Sequence, residues 1–144
     1  MDHSLQSSDP TKREPRVAVL IPCLNEEETI GKVVRDFKLQ LPEGMIFVFD
    51  NNSTDRTAEE ATAAGAIVSK ELRRGKGFVV QTMFQCVEAD VYVMVDGDDT
   101  YPVEKVQDLL QPILDKQTDM VVGSRTTSES DFYFLNRIGN MLNQ

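Results

Sequence analysis

Asp96 and Asp98, separated by one glycine, are the residues of this 144-residue sequence whose type and spacing point most directly to a metal site. Side chains two residues apart in an extended segment face the same way, so both carboxylates can reach one cation. Hard oxygen ligands suit Mg²⁺ or Mn²⁺, and such a cation neutralises a diphosphate as a Lewis acid. Gly97 leaves room for a ligand to approach the backbone. The competing interpretation is a solvated acidic turn that caps a helix, with Thr100 as a further capping residue.

Charged side chains also follow other apolar runs of the sequence. Asp50 comes directly after MIFVF and can bind a base or a ribose, or cap the next helix. Glu26 can contact a ligand or complement the positive end of its own helix. Residues 73–77 (RRGKG) combine three cations with two glycines, which is typical of a phosphate site and equally of a solvated basic surface. Arg125 follows Gly-Ser, and its guanidinium suits a phosphate or a salt bridge.

The elements that must position these residues alternate along the chain. Apolar runs predict strands, and apolar residues at helical spacing predict helices between them. Such alternation favours an α/β fold with a parallel sheet, helices on both faces and ligands beyond the carboxyl ends of the strands. In the third helix we expect Val80, Phe84 and Val87 to face the core. The predicted strands are 17–22, 45–49, 66–68, 91–95 and 120–122, and the predicted helices are 26–39, 54–64, 77–89, 102–116 and 132–142.

Composition limits the class of protein. The formal charge is 15 − 24 = −9, which argues against a nucleic-acid partner but leaves phosphate ligands open, because a bound metal reverses the local sign. Residues 1–15 are predicted to be a disordered tail and 16–144 one folded domain. The sequence shows neither a signal peptide nor an apolar run of about 20 residues, which predicts a cytoplasmic location. His3 is the one histidine, so a Ser-His-Asp or Cys-His site is not expected.

Five segments, in this order and spacing, resemble the family 2 glycosyltransferases with the GT-A fold: IPCLNEEETI, DNNSTDRT, RGKG, VDGDDTYP and VVGSR. The resemblance covers residues 16–144 and is strongest to the dolichyl- and polyprenyl-phosphate sugar transferases, the group of dolichol-phosphate mannose synthase. It implies a Rossmann-like, mostly parallel sheet flanked by helices on both faces. It also implies transfer of a sugar from a UDP- or GDP-sugar, with Mg²⁺ or Mn²⁺ as cofactor.

The resemblance assigns roles to individual residues. Metal ligation falls to Asp96, Asp98 and Thr100, while Asp98 and Arg125 take part in catalysis, the arginine near donor or acceptor phosphates. Nucleotide binding falls to Pro22, Leu24, Glu26, Asp50, Lys76, Asp96 and Gly97.

The implied acceptor is a polyprenyl or dolichyl phosphate. Such a phosphate is already anionic and attacks the anomeric carbon without a strong base, by single displacement with inversion. A saccharide acceptor stays open and would require an Asp or Glu base. Because relatives continue past the last helix, we expect this chain to be an N-terminal fragment. Such a fragment should retain nucleotide and metal binding better than catalytic turnover. The part that follows would contact a membrane surface, at its cytoplasmic face.

Two other functions are alternatives. Residues 96–100 fit the DxDxT motif of haloacid-dehalogenase-type phosphatases, but they follow the fourth strand rather than the first. Such enzymes also need a later lysine and an acidic pair, and the short remainder after Thr100 offers no good set. A non-catalytic module that binds nucleotide or metal is the other alternative, and the short chain favours it.

Overall fold

The computed structural model describes residues 13–123 and the strand residues 134–136. The predicted tail residues 1–12, Arg125 and most of the predicted last helix lie outside these ranges. A 3₁₀ turn at Val103–Lys105 leads into the last helix described. The strands are β1 (Val17–Cys23), β2 (Met45–Asp50), β3 (Ile67–Lys70), β4 (Val91–Met94), β5 (Met120–Val122) and β6 (Phe134–Asn136), and the helices are α1 (Ile30–Gln40), α2 (Thr57–Ala63), α3 (Lys76–Cys86) and α4 (Val106–Leu114).

The strands form one mostly parallel sheet in the order β3-β2-β1-β4-β6-β5. β1 lies at its centre and pairs in parallel with β2 and β4, while β2 pairs in parallel with β3. This confirms the predicted α/β sheet. Because the parallel strands end at the same edge, the segments that follow β1, β2 and β4 are brought together there.

β6 corrects one prediction. Helical spacing indicated a helix at 132–142, but residues 134–136 form a strand that runs antiparallel to β4 and β5. Aromatic and apolar residues such as those at 132–135 also favour strands, and a short apolar run does not distinguish the two by its period. The unpaired backbone of β4 offers a ladder of hydrogen bonds, which decides in favour of the strand.

Apolar cores lie on both faces of the sheet. On one face α1 buries the four residues that its spacing predicts, Ile30, Val33, Val34 and Phe37, and α4 packs beside it. On the other face α3 buries Val79 and Met83 against β1 and β2. The prediction for α3 was right at Val87 and at Phe84, which is partly buried and packs against this core, and wrong at Val80, which lies outside it. Apolar residues surround most of α3, so its sequence does not single out one face.

Three helices begin later than predicted. α1 begins at Ile30 rather than 26, α2 at Thr57 rather than 54 and α4 at Val106 rather than 102. Before α1 and α2, the residues in between form polar turns at the edge of the sheet where β1 and β2 end. In the described ranges, none of the helices has the length and apolarity needed to cross a lipid bilayer.

Candidate functional site

A cleft of about 540 Å³ opens at the carboxyl ends of the parallel strands, beside the first turn of α3. Its floor includes Pro22 and Cys23, which are buried at the end of β1. The structure therefore brings together most of the predicted site residues, although they come from separate loops. Those that line the cleft are Pro22, Leu24, Glu26, Lys76, Asp96 and Asp98.

The loops after β1 and β2 are joined by hydrogen bonds, which fixes one wall of the cleft. The backbone N–H of Asn25 donates to Ser53 Oγ at 2.9 Å, and that of Thr54 donates to Asn25 Oδ1 at 2.8 Å. The N–H of Glu26 donates to Thr57 Oγ1 at 2.8 Å. Asn25 has φ = 53°, a left-handed conformation that asparagine tolerates better than most residues. The wall that carries Leu24 and Glu26 is thus held by residues on a neighbouring loop.

The acidic loop after β4 is held by α1. Thr29 Oγ1 donates to the carbonyl oxygen of Gly97 at 2.7 Å, and Lys32 Nζ lies 3.0 Å from Asp99 Oδ1. Residues 97–99 form a bend, in which Asp99 has φ = 60°, so the loop is not the extended segment that the sequence argument assumed. Asp96 and Asp98 nevertheless both line the cleft. Their convergence comes from the anchored bend rather than from strand alternation.

Each aspartate of this loop has its own partners. Asp96 Oδ1 accepts a hydrogen bond from Lys76 Nζ at 2.5 Å, and its Oδ2 accepts one from the Tyr101 hydroxyl at 3.0 Å. Asp98 Oδ1 accepts from the N–H and hydroxyl of Thr100, at 3.2 and 2.6 Å. The acidic turn that was weighed against a metal site is therefore present, but it does not cap the following helix, because neither the 3₁₀ turn nor α4 has a side-chain cap. It leaves Asp98 in the cleft and turns the Thr100 hydroxyl towards Asp98.

Gly97 has a packing role that sequence reasoning did not identify. A Cβ at this position would lie 2.5 Å from Glu26 Oε2, 2.6 Å from Cys23 Sγ and 3.2 Å from Ile30 Cδ1. The first two distances are far below van der Waals contact and the third is tight, so the chain itself fills the space that was expected to admit a ligand. The glycine lets the β1–α1 loop pack directly on the acidic loop.

Glu26 is a half-buried carboxylate beside two other acids. Its Oε2 is buried and makes no hydrogen bond in the described part of the chain. Burial raises the pKa of Glu26, and the nearby Asp98 and Asp96 raise it further, against a hydrogen bond from Cys23 that lowers it. Burial, followed by the charge of Glu26, raises the pKa of the Cys23 thiol, so this cysteine stays a neutral part of the floor. Glu26 thus lines the cleft while its Oε2 packs against the acidic loop.

The cationic segment 73–77 divides into two parts. Arg73 turns to the buried Glu71, with Nε and Nη2 each 3.0 Å from its carboxylate oxygens, and stacks over Phe78 at 4.7 Å. Hydrogen bonds from Arg73 and Thr82 lower the pKa of Glu71 to about 2. The cleft is lined by Arg74 and Lys76 instead. Two cations at the first turn of α3 form a suitable place for phosphate oxygens.

Asp50 does not line the cleft, and it does not cap α2, which has no side-chain cap; it holds the turn after β2. It is 2% exposed, and its Oδ1 accepts a hydrogen bond from the Ser53 N–H at 3.0 Å. The two following residues, Asn51 and Asn52, line the cleft. Sequence analysis missed both, although each follows directly from Asp50 in the DNNS segment. The nucleotide-binding role of Asp50 stays a prediction, as do the roles of Thr100 and Arg125.

A divalent cation fits the donors of this cleft. The described residues contain no group of three or more His, Cys, Asp or Glu side chains arranged to hold a metal. Asp96 and Asp98 supply hard oxygen donors on one loop. Mg²⁺ commonly keeps several waters and takes one or two carboxylates together with substrate phosphates, so two aspartates beside Arg74 and Lys76 suit it.

Comparison with known proteins gives a consistent result. A family model described as glycosyl transferase family 2 matches residues 18–143. Protein RfbJ of Shigella flexneri is 51% identical over 109 residues, which cover 76% of this chain and 84% of RfbJ. A dolichyl-phosphate hexose transferase of Haloferax volcanii is 35% identical over 126 residues, 87% of this chain. The chain spans 55% of that transferase, and 32% of the hexosyltransferase Agl6 from the same organism.

Solved structures agree with the family model. Glucosyl-3-phosphoglycerate synthase from Mycobacterium tuberculosis, in complex with Mn²⁺, UDP-glucose and phosphoglyceric acid, superposes with a TM-score of 0.63 at 28% identity. The match covers 69% of this chain and 39% of that one. The same enzyme has also been solved with Mg²⁺ and UDP.

Proposed function

Because the chain belongs to glycosyl transferase family 2 and has the GT-A fold, we propose that its cleft binds a sugar-nucleotide donor, a UDP- or GDP-sugar. One observation carries the proposal: the same cleft is lined by the acids Asp96 and Asp98 and by the cations Arg74 and Lys76. A metal-bound diphosphate needs both kinds of group. Membership of this family also argues against the phosphatase alternative, since the family model covers residues 96–100.

Different residues of the cleft would bind different parts of the donor. Asp98 and Asp96 would hold Mg²⁺ or Mn²⁺, which when bound offsets the negative charge of the departing diphosphate. Arg74 and Lys76 would bind phosphate oxygens as charge-assisted hydrogen-bond donors. Glu26, which lines the cleft, would accept a hydrogen bond from a donor hydroxyl. The complexes of the mycobacterial synthase with Mn²⁺ and UDP-glucose support this assignment.

The acceptor we propose is a polyprenyl or dolichyl phosphate. Its phosphate oxygen would attack the anomeric carbon while the bond from that carbon to the diphosphate breaks, and the nucleoside diphosphate leaves with the electron pair. No histidine occurs in the described residues, and an anionic nucleophile does not need a strong base. The dolichyl-phosphate hexose transferase among the relatives supports this acceptor. A lipid acceptor would put the reaction at the cytoplasmic face of a membrane.

Thermal unfolding with UDP and GDP, each with and without Mn²⁺, tests donor binding. We expect one nucleotide to stabilise the protein, by about 2.7 kcal/mol at a ligand concentration of 100 Kd. A chelator should remove this stabilisation. Asp98→Asn should abolish the metal-dependent part. Asp108→Asn is the matched control, because Asp108 is exposed on α4 and does not line the cleft. Stabilisation by neither nucleotide, or equal behaviour of the two variants, would contradict the proposal.

Product analysis tests the reaction. Incubation of donor, Mn²⁺ and dolichyl phosphate should give a glycosyl lipid with inverted anomeric configuration. A retained configuration would contradict single displacement. Transfer to a saccharide, with none to the lipid phosphate, would contradict the proposed acceptor.

A further inference from the structure

We propose that Asn51 is a positioning residue that fixes the cationic wall of the cleft, and with it Arg74 and Lys76, to the end of β2. The inference rests on the proposed binding of a donor diphosphate at this cleft. Asn51 follows β2 directly and is 9% exposed. It carries no charge of its own, so it would act through the residues whose backbone it holds.

Every hydrogen-bonding group of the Asn51 side chain is used. Its Nδ2 donates to the carbonyl oxygens of Glu71 at 2.9 Å and of Arg73 at 2.8 Å. Its Oδ1 accepts from the N–H of Gly75 at 3.0 Å. Its own backbone N–H donates to the carbonyl oxygen of Cys23 at 2.8 Å, which ties the end of β1 to the same point. One residue thus joins three segments that line the cleft.

The chemistry of the contact requires an amide. Two carbonyl oxygens face Nδ2 and one N–H faces Oδ1, so only one orientation of the amide satisfies all three. Aspartate has the same shape but offers two acceptors and no donor, and it would oppose the carbonyls of Glu71 and Arg73. No charged residue can replace Asn51 without breaking the contact.

The position of the contact explains its effect on the cleft. Strand pairing between β2 and β3 continues as far as the Glu71 N–H, which donates to the Asp50 carbonyl at 2.9 Å. From there the Asn51 side chain continues the connection to Arg73 and Gly75. Gly75 has φ = 127° and precedes the first turn of α3. Holding Gly75 therefore sets where α3 begins, and consequently where Lys76 lies.

Asn51→Asp tests the inference, with Asn52→Asp as the matched control. Asn52 is the next residue, lines the same cleft, is exposed and has φ = 66°, which aspartate tolerates. It therefore adds the same charge without breaking the contact. Two readouts are compared: hydrogen exchange of the Gly75 amide in the ligand-free protein, and affinities for UDP and for uridine, or for GDP and guanosine where the protein prefers them.

We expect Asn51→Asp to accelerate exchange at Gly75 and to weaken nucleoside diphosphate binding about tenfold, the effect of one lost hydrogen bond. Nucleoside affinity should change much less, because the base does not depend on the cationic wall. Asn52→Asp should leave exchange at Gly75 unchanged. Asn51→Ser, which is neutral and too short to make all three contacts, should act in the same direction and provides a second variant if the aspartate prevents folding.

Two results would overturn the inference. Unchanged exchange at Gly75 in both Asn51 variants would remove the positioning role, whatever nucleotide the protein binds. Equal losses of nucleoside and nucleoside diphosphate affinity would show that Asn51 contacts the base or supports the whole site. If the wild type binds neither UDP nor GDP, the proposed function fails, while exchange at Gly75 still decides whether Asn51 holds the loop.

Discussion

Replacing Gly97 by alanine should destabilise the protein through crowding between two loops. The new methyl group would lie 2.5 Å from Glu26 Oε2 and 2.6 Å from Cys23 Sγ, and 3.2 Å from Ile30 Cδ1. Ordinary contacts of a Cβ begin near 3.4 Å, so the first two neighbours would have to move by almost 1 Å. Cys23 is 3% exposed and Ile30 is fully buried, so neither has free space to move into.

Overpacking of this kind costs about 1–3 kcal/mol. Gly97→Ala should therefore lower the free energy of unfolding by that amount in urea titrations at pH 7. Gly77→Ala is the control, because a Cβ at Gly77 meets no atom within 4 Å. Gly77 lies in α3, where alanine is favoured over glycine by about 0.5–1 kcal/mol, so this variant should be slightly more stable than the wild type.

The same experiment also tests the link to ligand binding. Crowding by the methyl group would push Glu26 away from the acidic loop, so nucleotide affinity should fall in Gly97→Ala and stay unchanged in Gly77→Ala. A Gly97→Ala protein within about 0.5 kcal/mol of the wild type would refute the crowding argument, because changes that touch nothing fall in that range.

Three further predictions concern the groups around the cleft. The pKa of Glu71 is about 2 in the folded protein against an ordinary 4.5. The stabilisation by its charge is therefore fully present above pH 4.5 and is lost as the pH falls towards 2. The difference in unfolding free energy between wild type and Glu71→Gln should shrink across that range and stay constant above pH 4.5. Lys76→Met removes the ion-pair partner of Asp96, so Mn²⁺ affinity without nucleotide should rise, by at most about fivefold, while diphosphate affinity falls. Titrations followed by electron paramagnetic resonance measure the Mn²⁺ affinity, and an unchanged value would contradict the pairing. Thr29→Val removes the anchor of the acidic loop and should cost about 0.5–1.5 kcal/mol in urea unfolding, whereas Thr62→Val, which loses an exposed hydroxyl on α2, should cost less than about 0.5 kcal/mol.

The sequence was most informative about the strands. β1, β2, β4 and β5 begin at the predicted residue, because long apolar runs are bounded by proline or polar residues. The cleft was also expected at the correct edge, since parallel strands bring their carboxyl ends together. The helix starts were less predictable. Residues 25–29 and 54–56 are held in turns by contacts with the neighbouring loop, and local spacing does not report such contacts.

Asn51 shows why part of the site could not be read from the sequence. Its three side-chain partners lie 20, 22 and 24 residues further along the chain. A neutral amide beside a more conspicuous Asp50 gives no local signal of that role. Gly97 is similar: it was noticed, but the atoms that require a glycine come from Glu26 and Cys23 on another loop.

The antiparallel insertion of β6 has a consequence for synthesis on the ribosome. Every described residue that lines the cleft precedes residue 99, yet β4 pairs on its outer side with residues 134–136, so that Tyr92 lies opposite Asn136. A nascent chain therefore completes the cleft while one edge of the sheet is still unpaired. An unpaired edge strand can pair with another chain. Translation that stalls between residue 99 and residue 134 should therefore yield nascent polypeptides that associate with one another.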